Sequence, residues 1–212
     1  MSDELDPSSF TCLYFGFASN LSPRTLQSRC PGSLYVGLCR LKGYKFIISK
    51  IGFGNIVPAE SEEDVVYGSL FFLTAQHEKS MDQAEMHKVD GGEKTWHVKR
   101  TLKVTRLEAN SDGILSELGE VEATTYIDVD RTTPGTVSKE NLTFLRRAID
   151  DGLQSGVPKE YFEKYWKRFL PEDESVGKQE MMTMVRTSAM DKEDSGRYVP
   201  KDVLRLAEKG KQ

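Results

Sequence analysis

The chain has 212 residues, of which 38% are hydrophobic and 29% charged, with a net charge of −4 and a pI near 5.5. That suits one soluble domain with an appendage, and the acidic balance argues against binding a phosphate backbone, which relies on a basic patch. No apolar run approaches the ~20 residues that span a bilayer, the start "MSDELDPSSF" has no signal-peptide core, and Cys12, Cys30 and Cys39 form no CxxC pair, so a cytoplasmic protein with reduced thiols is expected.

In chain order, residues 1–10 are expected to be a disordered N-terminus, and "TCLYFGF" (11–17) reads as an apolar strand. The chain then turns small and polar at "ASNL" before Ser22 and Pro23 open a helix, Ser as its cap and Pro at its first position. "SLYVGLC" (33–39) and "YKFIISK" (44–50) read as strands, and "GFGNIVPAESEED" as a loop punctuated by Gly52, Gly54 and Pro58. "VVYGSLFFLT" (65–74) is apolar enough to be buried on both faces. A helical stretch over 75–88 ends at Gly91-Gly92, and two alternating strands follow at 96–108 and 119–130, joined by "ANSDGILSE".

From Ser138 the period becomes helical, with Leu142, Leu145, Ala148, Ile149 and Leu153 on one face. "SGVP" closes that helix and Pro158 opens another. Strands interrupted by short helices, then helices at the end, predict an α+β fold with a curved or barrel-like sheet. One folded domain is expected over 11–170, and a polar C-terminal extension over 171–212.

His77, His87 and His97 lie ten residues apart, without the i, i+4 spacing of paired zinc ligands, and read as surface histidines. The sequence has neither a P-loop nor a Rossmann glycine pattern, nor a GxSxG elbow. Two other places can carry chemistry. Glu85 has Met81, Ala84 and Met86 as neighbours, and a carboxylate among apolar groups tends to a raised pKa suited to acid/base work. The corner Phe17–Ala18–Ser19–Asn20–Leu21 can offer backbone N–H groups to a carboxylate or an oxyanion. Taken singly, each also reads as ordinary: a solvated helix glutamate and a plain turn.

Together they resemble a known family. "YFGFASNLSPRTLQSR" is similar to the N-terminal signature of the γ-glutamylcyclotransferase (AIG2-like) family, whose hallmark is a strand ending in Tyr-Gly-Ser-Asn-Leu. "VVYGSLFFLT", "SMDQAE", "TTYIDVD" and "GLQSGVPKEYFEKY" resemble its later landmarks in the same order, so that the likeness covers about residues 12–170. The resemblance implies an α+β fold built as a small mixed β-barrel with flanking helices, with 11–170 as the catalytic domain of a metal-free and cofactor-free enzyme. That enzyme would release 5-oxoproline from γ-glutamyl amines or, in one branch, from glutathione, with Glu85 catalytic. Phe17, Ala18, Ser19, Asn20, Leu21, Tyr126 and Phe144 would then contact the substrate. Phe17 and Ala18 replace the hallmark Tyr and Gly, Met86 replaces a Gly, Phe144 falls where a tyrosine is usual, and Trp96 takes the place of a later aromatic. These departures predict a reshaped, more apolar pocket and a larger or more apolar leaving group, as in diverged fungal relatives that process glutathione-derived adducts.

Two other readings stay open: the same glutamate serving elimination, isomerisation or cyclisation of a secondary metabolite, or a non-catalytic small-molecule binding module. No nucleic-acid or membrane partner is expected. The extension, with its Met-rich "MMTMV", would suit either a cover for the pocket mouth or a homodimer contact.

Overall fold

In the computed structural model, which describes residues 7–86, 88–89 and 94–171, the apolar run 65–74 is the central strand of a closed barrel. This strand, β5 (Val65–Thr74), is buried at every position from Val66 to Leu73. It pairs antiparallel with β1 (Phe10–Gly16) on one side and with β2 (Leu34–Lys42) on the other. The circuit continues from β2 to β8 (Val98–Ala109) and from β8 to β9 (Leu115–Ile127). It closes where Tyr14 of β1 meets Thr124 of β9 in parallel pairing. Closure gives each of these five strands a partner on both sides. Gly68 makes room at the centre: a Cβ there would come within 2.2 Å of the Phe15 ring and 2.7 Å of the Gly16 carbonyl.

The helices are anchored by polar contacts that the sequence advertises in part. In α1 (Pro23–Arg29), the Ser22 hydroxyl accepts the Thr25 N–H at 3.1 Å and donates to Asp151 at 2.5 Å. Arg24 reaches the same carboxylate through Nε at 3.2 Å, so this buried acid ties α1 to α3 (Lys139–Gln154). A reciprocal cap between Thr74 and His77 starts α2 (Ala75–Glu85) directly from β5. After α3, α4 (Lys159–Tyr165) delivers an aromatic cluster, with Trp166 stacked on Phe46 at 4.3 Å between ring centroids.

Several expectations need correction. Residues 7–9 form a 3-10 turn and Phe10 already belongs to β1, packed on Phe72 at 6.0 Å, so the N-terminal segment is ordered earlier than its composition suggests. The expected loop contains β4 (Gly54–Pro58), which pairs with β3 (Tyr44–Ile48) as a hairpin beside the barrel. There the Asn55 side chain imitates a neighbouring strand, donating to the Asp128 carbonyl at 2.8 Å and accepting its N–H at 3.1 Å. Leu153 is exposed, because Gly152 occupies the inward position: a Cβ on it would meet Phe162 at 2.8 Å and Leu21 at 3.0 Å.

Two-residue strands β6 (Lys88–Val89) and β7 (Lys94–Thr95) pair with each other after α2, and Trp96 and His97 precede β8 rather than belonging to it. His87, the Gly91-Gly92 break and the Met-rich stretch of 171–212 lie outside the described residues. Among the described residues, no helix is long and apolar enough to cross a membrane.

Candidate active site

The strand β1 ends in a bend that few sequences could make. Gly16 is followed by Phe17 in extended backbone and then by a 3-10 turn over Ala18–Leu21, closed by the Asn20 N–H on the Phe17 carbonyl at 3.0 Å. Ala18 adopts φ 51°, the sole non-glycine residue in the left-handed region among the described residues. An alanine methyl group is accepted in this geometry. It lies against Gly54 of β4, where a Cβ would come within 2.4 Å of it. This conformation costs an alanine roughly 1–2 kcal/mol, and the surrounding contacts hold it: Ser69 donates to the Leu21 carbonyl at 2.7 Å from below the turn.

Behind the turn runs a chain of polar contacts. The Asn20 side chain is buried, donating to the Tyr14 hydroxyl at 2.8 Å and accepting from Arg29 Nη1 at 3.1 Å. Arg29, at the last turn of α1, also lies 3.6 Å from Glu85 Oε1. Glu85 ends α2, and its other oxygen meets His97 Nδ1 at 3.1 Å. The backbone reinforces this pair, since the Glu85 carbonyl accepts the His97 N–H at 3.1 Å and lies equally close to Nδ1.

Glu85 shares the cavity with its apolar helix neighbours Met81 and Ala84, but it also has charged and polar partners that they do not suggest. It is 18% exposed and flanked by a guanidinium and an imidazole. The expectation of surface histidines fails for His97, whose side chain is 11% exposed. Burial opposes charging this imidazole, but its hydrogen bond to Glu85 and the carboxylate's charge outweigh that and raise its pKa.

These side chains surround a cavity of about 390 Å³. Phe17, Ala18, Ser19, Asn20, Glu85, Tyr126 and Phe144 all line it. Leu21 does not: it is buried in the core and packs towards Gly152. Nor does Met86, which caps the end of α2 and packs beside the Tyr14–Leu26–Phe71 cluster, so it does not reshape the cavity. On the cavity wall, Tyr126 donates to Asp82 Oδ1 at 2.6 Å, and Lys99 bridges Asp82 to Glu78. Burial first, and then the bond to Asp82, push the Tyr126 phenol well up, so it stays protonated.

Sequence reasoning missed Tyr14, Arg29 and His97, because each meets the site through space rather than through a local pattern. The available signal for His97 was its place beside Trp96, both of which line the cavity. Among the described residues no group of three His, Cys, Asp or Glu side chains could hold a metal ion.

The Glu85–His97 pair has a pH signature. A raised imidazole pKa in the folded state adds stability that is fully present below the unfolded value near 6.5 and is lost as pH rises through the folded value. The melting temperature of the protein should therefore fall more steeply above about pH 6.5 than that of His97→Gln. Thermal unfolding across that window measures it, and parallel curves for the two proteins would refute the charged pair.

The fold has counterparts among solved structures. A human protein described as uncharacterized protein loc79017 superposes with a TM-score of 0.57 at 21% identity, covering 82% of this chain and 98% of its own. A structure described as gamma-glutamyl cyclotransferase gives 0.56 at 20% identity, with 83% and 98% covered. YkqA from Bacillus subtilis gives 0.51 at 14%, covering 76% of this chain, which spans 54% of YkqA. At these identities the likeness establishes the fold, a γ-glutamylcyclotransferase-like barrel with flanking helices. No family model matches the sequence, and no curated protein does.

Proposed function

We propose that this chain is a γ-glutamylcyclotransferase-type enzyme, a diverged member of that family of the fungal type. It releases 5-oxoproline from a γ-glutamyl amine or a glutathione-derived adduct. The observation that carries the reading is the shared cavity: the Glu85 carboxylate faces the same 390 Å³ space as the strand-end turn over Phe17–Asn20. The common fold and the order of the sequence landmarks support it.

The substrate's α-ammonium gives a proton to Glu85, and the freed amine attacks the γ-carbonyl carbon. A C–N bond forms in the five-membered ring and the C–N bond to the departing amine breaks. Two protons leave the attacking nitrogen, and two reach the departing amine, which ends as an ammonium ion; Glu85 carries them in turn. Holding the glutamyl chain curled for ring closure supplies much of the rate, as positioned intramolecular reactions gain up to roughly 7–11 kcal/mol. Arg29, 39% exposed at the cavity wall, suits the α-carboxylate. The N–H groups of Ala18 and Ser19 open a 3-10 turn and so have no acceptor within it, which suits the oxyanion on the γ-carbonyl.

Incubation with γ-glutamyl amines, glutathione and glutathione S-conjugates, with 5-oxoproline measured by mass spectrometry, tests the reading. Release from at least one class is expected. No product from any of them overturns it.

A further inference from the structure

The cavity has two chemically different ends. Its deep part is polar and buried around Tyr14, Asn20 and Tyr126, with Glu85 and His97 beside them. Its outer part carries three aromatic rings from three separate segments: Phe53 before β4, Trp96 before β8 and Phe144 on α3. Phe53 and Phe144 are 36% and 38% exposed, uncommon for phenylalanine, and both face the same opening. Phe53 and Trp96 approach to 5.8 Å between centroids at a 41° tilt, within the range of favourable ring pairs.

This rim is built rather than incidental. The Gly52 carbonyl, next to Phe53, accepts both the Ser138 N–H at 3.1 Å and the Asn141 side chain at 3.2 Å, which binds the Phe53 loop to the start of α3. A Cβ on Gly52 would sit 2.8 Å from the Ser138 nitrogen, and its φ of 87° suits glycine. Arg131 holds the other side, donating to the Trp96 carbonyl at 2.9 Å while paired with Asp128. Rings fixed by neighbouring backbone lose little freedom when a ligand docks, which makes them efficient contact surfaces.

We propose that Phe53, Trp96 and Phe144 form a subsite for an aromatic or flat cyclic group carried on the scissile nitrogen of the substrate. The inference rests on the γ-glutamyl reading for the deep end and adds the leaving-group class at the outer end. The glutamyl moiety fills the polar floor, and the departing amine lies among the rings. Small hydrophilic amines such as alanine leave the three rings wet and gain nothing from them, whereas an aryl group buries ring surface on both partners.

The test compares γ-glutamyl benzylamide with γ-glutamyl ethylamide, in two arms. In the active protein, 5-oxoproline release should show kcat/KM at least about tenfold higher for the benzylamide, carried by KM. In Glu85→Gln, calorimetry should show the benzylamide binding about tenfold tighter, independently of turnover. Phe144→Ala should reduce both ratios towards one. Equal values for the two amides in either arm overturn the subsite. Tighter benzylamide binding without turnover of either amide overturns the cyclotransferase reading and upholds the aromatic subsite. Absence of both turnover and binding overturns both.

Discussion

Glu85→Gln should lower 5-oxoproline release by about 10²–10⁴-fold while leaving the fold intact, the range lost with a single general acid/base. The substitution keeps the side chain's shape and its capacity to bond His97, but removes the group that takes a proton from the α-ammonium. The loss should fall on kcat, with KM changed little, since the carboxylate acts on the reacting nitrogens rather than on binding. Arg29 at 3.6 Å and His97 at 3.1 Å fix the position of the wild-type carboxylate at the cavity wall. Circular dichroism and a melting curve would show that the variant is folded. Unchanged kcat in a folded Glu85→Gln protein would remove this residue from the chemistry.

What the sequence disclosed followed the range of the interactions involved. Local rules sufficed for β5, whose unbroken apolar run has no alternative to burial, and for the start of α1, where Ser22 and Pro23 both favour a helix entry. They failed for β4, because "GNIVP" carries strand-breaking residues at both ends. It pairs with β3, and its Asn55 side chain bonds the backbone of Asp128, 73 residues away, which no local rule foresees. The position of Glu85 was legible, but its environment was not: the neighbouring Met81 and Met86 pack on the Tyr14–Leu26–Phe71 cluster, while the polar partners of Glu85 come from α1 and the segment before β8. Ala18 is the instructive case. Alanine has no local preference for φ 51°, so the turn geometry is imposed by Gly16 behind it and Gly54 beside it. An exchanged residue in a signature can thus keep the signature's backbone when its surroundings leave space for one methyl group.

That dependence makes Gly16 a sensitive backbone position of the site. A Cβ on Gly16 would lie 2.5 Å from the Asn20 carbonyl oxygen and 3.1 Å from the Asn20 Cβ, and neither can swing aside, because the turn itself is the obstacle. Gly16→Ala should therefore push the turn outward, at a stability cost of about 1–3 kcal/mol typical of overpacking. The larger effect should be on catalysis. Asn20 holds Tyr14 and Arg29 at 2.8 and 3.1 Å, so displacing it moves the cation beside Glu85 as well as the cavity wall. A shift of about 1 Å in a positioned site can cost roughly 10²-fold, and a loss of that order in kcat/KM is expected. Gly113→Ala provides the control. It too introduces a methyl group, at a φ of 77° in the turn between β8 and β9, but meets nothing within 4 Å and is absent from the cavity lining. It should pay about 1 kcal/mol for the left-handed backbone and leave the activity of the folded protein unchanged. Comparable kcat/KM in the two variants would mean that the turn does not position the reacting groups, however well the rest of the cavity fits them.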